Sequence, residues 1–107
     1  MRKKIPNPLR FGGLEIKIVK PITFTPYSGD LGMYIMPFSE IHLAAGLEPN
    51  LEENVLCHEI VEMINCCFDL NLPHETISCL GNAWFELLKN NDIYFFDPST
   101  KIKEEED

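Results

Sequence analysis

Asn50-Leu51-Glu52-Glu53-Asn54-Val55-Leu56-Cys57-His58-Glu59-Ile60-Val61-Glu62-Met63-Ile64-Asn65-Cys66-Cys67-Phe68 is the stretch whose reading decides the fold. Leu56, Ile60, Met63, Ile64 and Cys67 recur at helical spacing and define a core-facing stripe. Asn50, followed three residues later by Glu53, resembles a capping box, so the helix starts here and runs to about Phe68. Asp69 to Leu72 form a short connection. Pro73 suits the first turn of a second helix, which runs to about Asn90 with Ile77, Leu80, Trp84, Leu87 and Leu88 on its apolar face. Helices joined so briefly pack as a hairpin.

Upstream the periodicity changes to two. Leu14-Glu15-Ile16-Lys17-Ile18-Val19 alternates apolar and charged residues as a half-buried strand does, and Pro21 ends it. Thr23 to Asp30 read as a turn region. A second short strand, Gly32 to Met36, is closed by Pro37, and Ile41 to Ala44 form a third that pairs with it as a hairpin. Downstream of the helices, Ile93 to Phe96 favour a strand or a hydrophobic clamp, stopped by Asp97-Pro98. Trp84, Phe85, Phe95 and Phe96 are expected in the core. The expected class is α+β: a small antiparallel sheet of about three strands packed on a two-helix hairpin.

A chain of 107 residues, 45% hydrophobic and 24% charged, suits one globular domain. That domain is expected over residues 1–98, with 99–107 an acidic, disordered tail. The net charge of −8 disfavours nucleic acid, which needs a basic face to displace counterions. No stretch reaches the roughly 18 apolar residues of a membrane span, and Met1-Arg2-Lys3-Lys4 is not followed by an apolar signal core. A soluble, cytoplasmic protein is expected. Cys57, Cys66, Cys67 and Cys79 show no CxxC spacing, which argues for reduced thiols over a zinc ribbon or a disulfide framework.

Chemistry centres on His58-Glu59-Ile60-Val61-Glu62. Four residues apart on a helix, His58 and Glu62 emerge on one face within reach of a common ion, with Glu59 beside them. Zinc accepts imidazole nitrogen and carboxylate oxygen, and a catalytic site needs three protein ligands plus an open position. Glu59 would then be the general base. HExxE is a weaker signal than HExxH; the plain alternative is that Asn54, His58, Glu62 and Asn65 form a solvated face. His74, in the first turn of the second helix, is the candidate third ligand, provided the first helix ends early or crosses its partner steeply. Otherwise Cys79 or Glu75 would serve. His42 could line a cleft or stay exposed on its strand, and it and Tyr34 are candidate oxyanion donors. The strand edge formed by Gly32, Tyr34 and Ile41 to Ala44 could pair with an extended peptide. Cys57 beside His58 is no catalytic pair, because helix neighbours diverge by about 100°.

Taken together, the strand pair, Leu56 to Glu62, Leu72-Pro73-His74, Ile77, Leu80-Gly81 and Leu87 to Asn90 resemble the small metallopeptidase-type proteins of phages and prophages near the ImmA/IrrE group of zincins. That group typically has HExxH with a downstream Glu; here Glu62 and His74 exchange those types, keeping two His and one Glu. The resemblance implies a minimal zincin-like fold, bound zinc, a peptide or protein substrate hydrolysed by metal-activated water, and action in the bacterial host cytoplasm. The alternative is a non-catalytic phage or prophage interaction protein that keeps the fold with or without a structural metal.

Overall fold

The computed structural model describes residues 7–21 and 31–92. Strands β1 (Leu9–Phe11), β2 (Leu14–Val19), β3 (Gly32–Ile35) and β4 (Glu40–Leu43) precede helices α1 (Pro49–Cys67) and α2 (His74–Asn90). The protein is α+β, with one four-stranded sheet in the order β1-β2-β4-β3. The Thr23–Asp30 turn, the Ile93–Phe96 segment, the basic start and the acidic tail lie outside the described residues.

The sheet is mixed where an antiparallel one was expected. β3 and β4 form the expected antiparallel pair, with Tyr34 opposite Ile41, joined by a 3-10 turn over Met36–Phe38. β2 then pairs parallel with β4, Ile18 opposite Ile41, so Ile41 to Leu43 occupy an interior strand and β3 is the end strand. β1 is an additional strand. It folds back on β2 through Gly12-Gly13, both at positive φ (56° and 85°), the backbone a two-residue hairpin turn requires. Asn7 extends this edge: its side-chain amide donates to the Ile18 carbonyl and its side-chain carbonyl accepts from the Ile18 N–H, both at 3.0 Å.

Alternation along the strands sends Ile16, Ile18, Ile41 and Leu43 to one face, where α1 covers them with Leu56, Ile60 and Met63. Burial of each such side chain contributes about 1.5–3 kcal/mol. Cys67, expected in this stripe, is exposed at the helix end. α1 begins one residue before the proposed cap: Pro49 holds the first helical position, and the Glu48 carboxylate, not Asn50, accepts the Leu51 N–H at 3.2 Å. One turn on, Glu52 forms a 2.6 Å ion pair with Lys20 just beyond β2, both side chains almost fully buried. This pair ties the start of α1 to the sheet.

α2 packs on α1 with Ile77, Gly81, Phe85 and Leu88 buried, whereas Leu80 and Leu87, expected inside, are 47% and 62% exposed. Gly81 explains the rotation. A Cβ there would lie 3.0 Å from the His58 Cα, so glycine lets the two backbones touch and sets which face of α2 turns inward. Cys57, Phe85 and Leu88 form a second small cluster, and the half-buried Trp84 packs against both clusters.

Candidate metal centre

The helix connection positions His74. Asp69 and Asn71 adopt left-handed backbone (φ 52° and 57°), which aspartate and asparagine tolerate better than most residues. Asn65 near the end of α1 holds the turn, its carbonyl accepting from the Leu70 N–H at 3.0 Å and its side chain from the Leu72 N–H at 2.9 Å. Pro73 follows as the residue capping α2, and His74 is the first helical residue.

From that position the His74 ring meets the His58 ring, centroids 5.3 Å apart at 59°. His74 and Gly81 stand about 10.5 Å apart along the axis of α2, yet both reach His58. α2 therefore crosses α1 obliquely, and of the two geometries that allow His74 to approach, the crossing is the one present. His74 Nε2 also lies 3.4 Å from the Ser78 hydroxyl one turn along its own helix.

Both histidines line a cleft of about 280 Å³ with Leu31, Gly32, Asn54 and Glu59 among its walls. Glu59 is only 6% exposed, overlain by β3. At Gly32 an added Cβ would come within 2.7 Å of Val55 Cγ1 and 3.0 Å of Glu59 Cγ, so glycine is what lets the strand settle onto this carboxylate. Two imidazoles beside a shielded carboxylate are donors suited to zinc.

Of the sequence-derived site residues, His58, Glu59 and His74 come together here. Glu62 is half-buried one turn beyond His58 but does not line the cleft, and neither do Cys79 and Glu75. Among the described residues no three His, Cys, Asp or Glu side chains are grouped to hold an ion as they stand. His42 alternates with Ile41 and Leu43 and so faces away from the helices, its Nε2 2.7 Å from Glu40 Oε1. Tyr34 stands at the other end of β3 beside Cys67, also outside the cleft. Neither is within the cleft as an oxyanion donor.

Cys57 is fully buried, and burial, with the Glu53 carboxylate adding to it, pushes its thiol up to about 12. A thiolate nucleophile is thus essentially absent there at neutral pH. Gly32 and Gly81 matter to the cleft in ways sequence reasoning missed. Single glycines within a strand and a helix are the signal of close backbone approach, although they do not say what approaches.

No helix among the described residues is long and apolar enough to cross a membrane. No protein-family model, curated protein or solved structure matches the chain.

Proposed function

We propose that this chain is a zinc-dependent, zincin-like metallopeptidase domain of phage or prophage type, acting on peptide bonds in the bacterial cytoplasm. The observation that carries the reading is the approach of His74 to His58 beside the shielded Glu59. In this reading His58 and His74 hold the metal, and Glu62, on the same face of α1 as His58, is the third ligand. Zinc, when bound, supplies Lewis acidity that polarises a carbonyl and lowers the pKa of water to about 7. Glu59 takes a proton from the attacking water and returns it to the leaving amine nitrogen. β3, the end strand beside the cleft, offers backbone groups to an extended peptide.

The test combines elemental analysis with peptide cleavage. The reading expects stoichiometric zinc, a melting temperature lowered by chelator, and a Glu59→Gln variant that keeps zinc but loses cleavage of unstructured casein. His58→Ala and His74→Ala should each lose the metal. Absence of stoichiometric zinc, with stability indifferent to chelator and to added zinc, overturns it.

One observation favours the second reading, a non-catalytic interaction protein. Leu80 and Leu87, seven residues apart on the outer face of α2, are exposed, a spacing suited to a partner surface. Zinc retention with no cleavage by the native chain would select that reading.

A further inference from the structure

The core is left open at one end. Leu14 falls on the same face of β2 as Ile16 and Ile18, and Phe11 stands opposite it on β1, so the face that α1 covers continues down to the Gly12-Gly13 turn. α1 stops at Cys67, and Phe68 then meets the Phe11 ring edge-on, centroids 5.8 Å apart. Nothing among the described residues closes over this contact: Phe68 is 63% exposed, and Leu14 is exposed where Ile16 and Ile18 are buried. The opening continues to the turn between β3 and β4. Cys66 touches Met36 there, sulfur to sulfur at 3.2 Å, and Met36 shares its 3-10 turn with Phe38, which is 72% exposed. Leu70, two residues beyond Phe68, is exposed as well.

Leu14, Met36, Phe38, Phe68 and Leu70 together present on the order of 500 Å² of apolar surface. Pressed against a second such patch, they would remove about 1,000 Å² from water, the area at which a specific interface becomes stable. None of the five is charged, and Arg10 and Glu15, which flank Phe11 and Leu14, neutralise each other at 3.5 Å. The patch therefore offers nothing to a basic partner. A chain of net charge −8 repels its own copy, and the approach costs least where two uncharged surfaces meet. The chain outside the described residues departs from the other half of the fold: from Asn7 beside Ile18, between Pro21 and Leu31 beside Ala44, and from Asp92 after α2, whose last turns pack on Cys57. Cys57 lies ten residues before Cys67, roughly 15 Å along the axis of α1. We propose that this open end of the core is an isologous interface through which two copies of the chain associate. His58 lies ten residues before Phe68, so the interface leaves the cleft clear.

Sedimentation velocity of the full chain over a range of concentrations tests the assignment. The native chain is expected to pass from monomer to dimer as concentration rises, and to do so at lower concentration when salt screens its charge. Phe68→Asp and Phe38→Asp should each raise the dimer dissociation constant roughly tenfold or more. Leu80→Asp and Leu87→Asp, exposed on α2, should leave it unchanged. Circular dichroism of each variant separates loss of association from loss of fold, and Phe38, in a turn outside the core, carries the test if Phe68→Asp unfolds the end of α1. A chain that stays monomeric throughout, its open end covered by its own tail or kept for a different protein, overturns the assignment. So does a dimer that added salt dissociates, or one that Phe38→Asp and a folded Phe68→Asp leave intact.

Discussion

At the Gly32 end of β3, α1 presents His58 and Glu59 to a cleft; beyond the Tyr34 end, the same helix presents Cys66 to Met36, with Cys67 exposed beside it. Burial at the two ends runs against residue type. Glutamate, which normally seeks water, is 6% exposed under the strand, while cysteines, which normally seek the interior, lie open. At the first end the reason is on the strand: glycine at position 32 lets the backbone close over Glu59. One strand on one helix thus shields the Glu59 carboxylate at one end and leaves thiols exposed at the other. Neither arrangement is what core packing alone would select.

The strongest way to break this contrast is to loosen one end only. Lys20→Met leaves the Glu52 carboxylate buried without its 2.6 Å partner, which should cost about 3–5 kcal/mol in a urea unfolding curve. Glu52 is in the first turn of α1, so amide exchange should quicken there first while the thiol reactivity of Cys66 stays unchanged. Adding Glu52→Leu should recover most of the loss. A smaller effect is expected of Gly81→Ala, because the added methyl meets the α1 backbone at His58, which cannot rotate away as a side chain would. Overpacking of this kind costs about 1–3 kcal/mol, exceeding the gain in helix propensity of up to about 1 kcal/mol. It should move His74 from His58 and, under the proposed function, weaken zinc binding while leaving the Cys66–Met36 contact intact.

The effect that is smallest at neutral pH, and grows only under alkaline conditions, sharpens the contrast among the thiols themselves. Cys57 is raised in the fold to about 12, against about 8.5 in an unfolded chain. Its neutral thiol therefore contributes stability that is full below pH 8.5 and is lost as pH rises toward 12. The decline should not exceed about 1.4 kcal/mol per pH unit, and Cys57→Ala should remove that part of the pH dependence. With a thiol reagent at pH 8, Cys66 and Cys67 should react readily and Cys57 only after unfolding.

Much of the helical half was legible because Leu56, Ile60 and Met63 keep helical spacing and Asp69 to Leu72 leave little room between helices. The cap moved to Glu48 because Pro49, one residue before the expected cap, is a good first helical residue. Leu80 and Leu87 were assigned inward from apolar periodicity, which cannot register that Gly81 brings α2 closer than any leucine would allow. β1 had a signal in Gly12-Gly13 that went unused, whereas the parallel β2–β4 pairing is a long-range choice that no local pattern encodes. The same limit governs the sites. Helical spacing put His58 and Glu62 on one face, but only the oblique crossing brings His74 to His58, and nothing in the order of residues foretells that Met36 meets Cys66.

The parallel pairing at the centre of the sheet also orders events in time. Lys17 meets Glu40 and Val19 meets His42 across a long excursion of chain that contains all of β3. The β3–β4 hairpin and the α1–α2 hairpin are local and need little loop closure. β2 can dock only after β4 offers its second edge, and it brings β1 with it through the Gly12-Gly13 turn. Such non-local pairing is the slow part of folding. A nascent chain would thus assemble the His58–His74 cleft on a half-built sheet, with the β1–β2 ribbon adding last alongside β4.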